Sequence, residues 1–75
     1  MIQKKNEKIK NRIPLLRAER GWSQQEVATR VGISRQTVAS LEKNRYNPSL
    51  ILAFEISLLF ETTITDVFEY VKEEK

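Results

Sequence analysis

Seventy-five residues allow one small domain and no second core. The chain has neither cysteine nor histidine. That excludes disulfides, Cys/His metal centres, thiol and imidazole nucleophiles and the usual general base at neutral pH, so neither an enzyme nor a metal or other cofactor is expected.

The net charge of +3 hides a division along the chain. Residues 1–12 carry +4, residues 13–47 carry +3 and residues 48–75 carry −4. A polyanion is drawn to the first two thirds and repelled by the last, the footprint of a nucleic-acid binder whose tail has a separate role. No uninterrupted apolar run exceeds Leu50–Phe54, and no hydrophobic region follows the lysines of Met1–Asn11. Neither a membrane span nor a secretory leader is expected, which places the chain in the cytoplasm.

Punctuation divides the chain into short helices. Pro14 fits a first helical turn, so a helix is predicted from Arg12 or Ile13 to Arg20, stopping at Gly21. Ser23 with Glu26 three residues later reads as a capping box for a second helix, with Val27, Ala28 and Val31 on one face before Gly32. Ser34 caps a third, with Val38 and Leu41 inward and Asn44 as a left-handed terminator. Asn47-Pro48-Ser49 turns the chain into Leu50–Phe60, the most apolar segment and the predicted core helix. Thr63 with Asp66 opens a last turn ending near Phe68. Residues 68–72 and 8–11 alternate like strands and are placed as a two-stranded antiparallel sheet. Residues 1–7 and 73–75 are expected to be loose termini.

The central stretch from Gln24 to Lys43 combines two short helices with a tight glycine-containing turn, the helix-turn-helix pattern. Ala28 is small where crossing helices come closest, Gly32 can take a positive φ, and Val27, Val31, Ile33, Val38 and Leu41 supply the wedge between them. On a wheel at about 100° per residue centred on Val38, Gln36, Ala39, Ser40 and Lys43 point outward and Arg35 and Thr37 flank them. This face carries no carboxylate, and its residue types suit the major groove. Gln pairs with adenine, Arg with guanine, and a small Ala admits a thymine methyl. Glu42 lies only about 40° from Val38, so it is expected to be partly buried and to need a cation. Trp22 and Tyr46 each flank a turn and read as packed on the domain edge rather than as base-stacking platforms.

The motifs SQQEVA, GISRQTVASLEK and NPSL within residues 12–68 resemble the Xre-type helix-turn-helix domain, the DNA-binding module of phage Cro and CI repressors. The short length is similar to stand-alone bacterial regulators. The resemblance implies an all-α, five-helix, lambda-repressor-like domain that binds palindromic double-stranded DNA as a homodimer, with the second motif helix in the major groove. It implies base-edge contacts from Arg35, Gln36 and Ser40, which Ala39 joins on the outward face. It implies phosphate contacts from Gln24, Ser34, Thr37, Lys43 and Arg45, and a structural ion pair between Arg17 and Glu42. Asn44 and Glu61 stand where many members have glycine. The basic segment from Lys4 to Lys10 is longer than in the shortest relatives and is read as either a DNA-contacting arm or an untethered end.

Phe54, Leu58, Leu59, Val67, Phe68 and Tyr70 exceed what one small core encloses and are assigned to a dimer interface. The function expected is a transcriptional regulator acting as a repressor on an inverted-repeat operator. The alternative is an antitoxin or protein-interaction module that grips a basic partner with its acidic C-terminal third.

Overall fold

The structure, a computed structural model, describes residues 7–72. The described chain runs β1 (Glu7–Asn11), α1 (Ile13–Arg20), α2 (Gln24–Val31), α3 (Arg35–Glu42), α4 (Leu50–Leu59), α5 (Ile64–Val67) and β2 (Phe68–Lys72). It is an all-α, lambda-repressor-like domain carrying one small antiparallel sheet.

The helix starts are local events. Ser23, Ser34, Ser49 and Thr63 each accept a hydrogen bond on the side chain from the backbone N–H three residues on, satisfying a donor that the helix itself leaves unpaired. α1 begins differently. Arg12 at its N-cap makes no side-chain cap, and the N–H of Ile13 is taken by Asn11 Oδ1 at 3.0 Å.

The first four helices end with one device, a residue in the left-handed region after the last turn, whereas α5 runs straight into extended backbone at Phe68. Gly21 and Gly32 adopt it after α1 and α2, at φ 70° and 91°. Asn44 at φ 59° follows α3, with its N–H on Leu41 O and that of Arg45 on Ser40 O, both at 3.0 Å. Glu61 at φ 57° does the same after α4, with bonds from Glu61 N to Leu58 O and from Thr62 N to Ser57 O. Asn accepts this conformation at little cost, whereas Glu carries the full side-chain penalty.

The core is one cluster to which every helix contributes: Ile13 from α1, Val27 and Ala28 from α2, Val38 and Leu41 from α3, Ile56 from α4, Phe60 just beyond it, and Val67 from α5. Leu16, Trp22, Val31, Ile33, Leu52, Leu59 and Phe68 pack around it half-buried. Trp22 lies 5.8 Å from the Phe60 ring and beneath the guanidinium groups of Arg20 and Arg30, at 5.3 and 4.3 Å. Its indole thus packs at the domain edge among Phe60, Arg20 and Arg30.

Three expectations are corrected. The apolar segment starting at Leu50 is a core helix on one side only: Ala53, Ile56 and Ser57 are buried, while Leu50, Ile51, Phe54 and Leu58 face out. Val67, assigned to a dimer interface, has no exposed surface, because α5 turns it fully into the core. Glu7, placed in a loose terminus, starts β1 opposite Lys72; residues 1–6, with Lys4 and Lys5, and residues 73–75 lie outside the described residues. The strands pair as expected, Ile9 opposite Tyr70 and Asn11 opposite Phe68. The N–H of Arg12 continues the stitch to Val67 O at 2.8 Å.

Candidate nucleic-acid interface

The second helix of the motif is α3, set against α2 by the turn at Gly32. The N–H groups of Gly32 and Ile33 both return to Ala28 O, at 2.8 and 3.0 Å, which fixes how the chain leaves one helix and enters the next. Ser34 Oγ accepts from Thr37 N at 3.0 Å and shares a proton with Thr37 Oγ1 at 2.8 Å. The two hydroxyls orient one another, and one donor hydrogen of the pair remains for an outside acceptor.

Arg35 and Gln36 in the first turn of α3 are exposed, as are Lys43 and Arg45 beyond its last turn; Thr37, Ala39 and Ser40 are half-buried. Ser34, Gln36, Thr37, Ser40 and Arg45 line one open concavity of about 440 Å³ along the helix flank. The structure therefore gathers five of the predicted DNA contacts into one surface. Arg35, Ala39, Lys43 and Gln24 do not line it. Tyr46 does, 45% exposed, although its position beside a turn reads as domain-edge packing in the sequence. The signal for it is the left-handed Asn44, which reverses the chain and carries residues 45 and 46 back alongside the helix.

Between residues 34 and 45 the only carboxylate is Glu42, and its side chain is just 6% exposed. Arg17 grips it with two bonds, Nε to Oε2 at 2.6 Å and Nη2 to Oε1 at 3.1 Å. Hydrogen bonding to Glu42 holds the Arg17 guanidinium above its already high ordinary pKa, against a smaller opposing effect of burial. Gln24 Nε2 adds a third bond to Oε1 at 2.9 Å. That bond turns the amide oxygen of Gln24 toward Arg35, whose Nη1 lies 3.5 Å away. The charge that would repel a phosphate is thus turned inward, leaving α3 with a cationic and amide surface. Gln24, expected to bind a phosphate, has one amide hydrogen committed to Glu42 and one left.

Asn11 is a second residue that sequence reasoning missed. Its Nδ2 donates to Leu41 O at 2.7 Å and to Asn44 Oδ1 at 2.9 Å, while its Oδ1 accepts from Ile13 N. One amide thereby ties the root of the sheet and the start of α1 to the end of α3 and to the left-handed residue after it. Only a group that is donor and acceptor at once can fill this position.

Among the described residues no cluster of Asp and Glu is placed to hold a metal ion, and no helix is long and apolar enough to cross a membrane. Comparison with known proteins agrees with the geometry. A regulator from Archaeoglobus fulgidus, described as an uncharacterized HTH-type transcriptional regulator, is 44% identical over 66 residues, which cover 88% of this chain and 93% of that protein. The antitoxin HipB of Escherichia coli O6:H1 is 35% identical over 57 residues, covering 76% of this chain and 61% of HipB. Among solved structures the transcriptional regulator VanUg superposes with a TM-score of 0.79 at 26% identity, covering 97% of each chain. The helix-turn-helix family model matches residues 15–67, so the chain belongs to the Xre-type helix-turn-helix family of transcriptional regulators.

Proposed function

We infer that the protein is a sequence-specific regulator that lays α3 in the major groove of double-stranded DNA and binds an inverted-repeat operator as a homodimer, acting as a repressor by occupying promoter DNA. The observation that carries this reading is the exposed, carboxylate-free surface of α3, with Glu42 drawn inward onto Arg17. In this reading Arg35, Gln36 and Ser40 address base edges, with Ala39 allowing close approach. Gln24, Ser34, Thr37, Lys43 and Arg45 hold phosphates and set the register. Tyr46, at the rim of the same concavity, adds a hydroxyl toward one strand.

The test starts by selecting bound sequences from a random duplex pool, which reports half-site and spacing. On the selected site Gln36→Ala is expected to cost about 1–3 kcal/mol and to leave binding to scrambled duplex nearly unchanged. Equal losses on both duplexes remove Gln36 from base reading. Lys43→Ala is expected to lower the salt slope by about one unit, and an unchanged slope removes it from the phosphate contacts.

A second reading, an antitoxin, is favoured by the identity to HipB and by the exposed acids Glu55, Glu61, Asp66 and Glu69 of the last third. It predicts a stoichiometric complex with the product of an adjoining reading frame, and no such complex on co-expression removes it.

A further inference from the structure

α4 is apolar on two sides. Ala53, Ile56 and Ser57 face the core; Leu50, Ile51, Phe54 and Leu58 face outward, with 68, 72, 50 and 72% of their surfaces exposed. At about 100° per residue the outward four fall within a stripe about 100° wide, centred about 120° from the mean direction of Ala53, Ile56 and Ser57. From Leu50 to Leu58 the stripe runs about 12 Å at 1.5 Å per residue. The only charge on the helix is Glu55, which falls beside the stripe rather than in it. A helix apolar all round is normally covered all round, and an exposed patch of this kind marks a contact surface.

We propose that the cover is a second copy of this chain, its α4 antiparallel to the first, with the two-fold axis passing through Phe54. The spacing of the stripe supports a copy rather than a different protein. Leu50 and Leu58 lie four residues on either side of Phe54, so turning the helix end for end about Phe54 exchanges them. The row Leu50, Phe54 and Leu58 is its own complement, as a two-fold interface requires, with Ile51 at its flank. Rows four residues apart are also the ridges that interdigitate when helices pack. The size fits too: the four side chains present roughly 500 Å² per copy, so a pair buries about 1,000 Å², where specific interfaces begin. Beside Leu50 lies an apolar cleft of about 270 Å³, lined by Ile9, Ala53, Ile64 and Phe68 among others. Antiparallel pairing brings Leu58 of the second copy to that end of the helix, where the cleft can receive it.

This inference rests on the homodimer reading and deepens it, while the DNA reading stands or falls separately. Sedimentation of the full chain at about 100 μM, above any micromolar Kd, is expected to show a dimer. Leu50→Glu and Leu58→Lys are each expected to weaken self-association at least tenfold with an unchanged helical circular dichroism spectrum, since both side chains are exposed in the single copy. Mixing the two variants is expected to restore a dimer, because the proposed pairing sets position 50 against position 58. The chain has no cysteine, so Phe54→Cys under a mild oxidant reports the axis directly, as a disulfide-linked dimer. A monomeric wild type overturns both this proposal and the homodimer reading. A wild-type dimer that both charged variants leave intact overturns the α4 interface alone. Variants that dissociate without rescuing one another, or Phe54→Cys that does not cross-link, overturn the antiparallel register. An α4 dimer that binds no duplex DNA upholds the proposal and rejects the DNA reading.

Discussion

α3 and α4 each bury one side in the same core and turn the other to solvent, but the outward sides have opposite chemistry. The outer face of α3 presents a guanidinium, an amide and hydroxyls, and the helix's sole acid is withdrawn against Arg17. The outer face of α4 presents four large hydrocarbon or aromatic side chains with no charge among them. A surface destined for phosphates and base edges needs donors and the removal of repelling charge. A surface destined for another apolar surface needs area without unpaired polar groups. On the proposed reading, the two faces of one small domain serve two different partners.

The contrast can be tested by striking each helix on its two sides. The largest effect belongs to the inner side of α4. Ile56→Ala opens a cavity in the shared core and is expected to cost about 3 kcal/mol in urea unfolding. Leu58→Ala, measured where the protein is dilute enough to be a single copy, is expected to stay within about 0.5 kcal/mol. Similar costs for the two would erase the distinction between the faces.

Next comes the hidden acid of α3. Glu42→Ala leaves Arg17 without its partner and is expected to destabilise by about 2–3 kcal/mol. This is below the figure for a fully buried pair, because the Arg17 side chain is 24% exposed. A change below about 0.5 kcal/mol would mean the pair behaves like a surface bridge.

Asn11 is smaller still. Asn11→Ala loses one cap and two bonds to the end of α3, an expected cost of about 1–2 kcal/mol. Asn11→Asp is expected to be at least as harmful, because it sets a carboxylate against Leu41 O and Asn44 Oδ1. If the aspartate variant is as stable as the wild type, the two donor bonds carry nothing.

The smallest effect lies outside both faces and serves as a control. The Thr62 hydroxyl, at 2.6 Å, and then the Thr63 hydroxyl hold the Asp66 carboxyl below its ordinary pKa. A lowered carboxyl stabilises the fold fully above its unfolded value near pH 4 and loses that contribution as the pH falls through the lower folded value. Asp66→Asn is therefore expected to lower Tm slightly at pH 7 and to converge with the wild type in more acid solution. A gap unchanged down to the acid limit would exclude the carboxylate as its cause.

What could be read without coordinates follows from the range of each interaction. Caps at Ser23, Ser34, Ser49 and Thr63 act over three residues, so their signals are contiguous in the chain. The inward turn of Glu42 follows from its angle to Val38 on one helix. The outward setting of Phe54 and Leu58 was legible, but the inner face of α4 was not, because a helix apolar in nearly every direction has little periodicity to mark its inside; Val67 passed for surface because the single turn of α5 is too short to show any. Asn11 acts across 30 and 33 residues, and nothing in its immediate neighbours announces such a bond. Tyr46 depends on the chain reversal at Asn44; the terminator was readable, but the direction in which it sends the chain was not.

The pairing of Glu7 with Lys72 joins the two most distant parts of the described chain. Closing a loop that long carries the largest loop-closure cost among the described contacts, so the ribbon is expected to open before the local helices do. Asn11 is the last residue of the first strand, and its amide reaches Leu41 O and Asn44 Oδ1 only once that strand is in place. Opening the ribbon is therefore expected to leave α3 formed but without its final alignment, so on the proposed reading a frayed ribbon weakens DNA binding before any helix is lost.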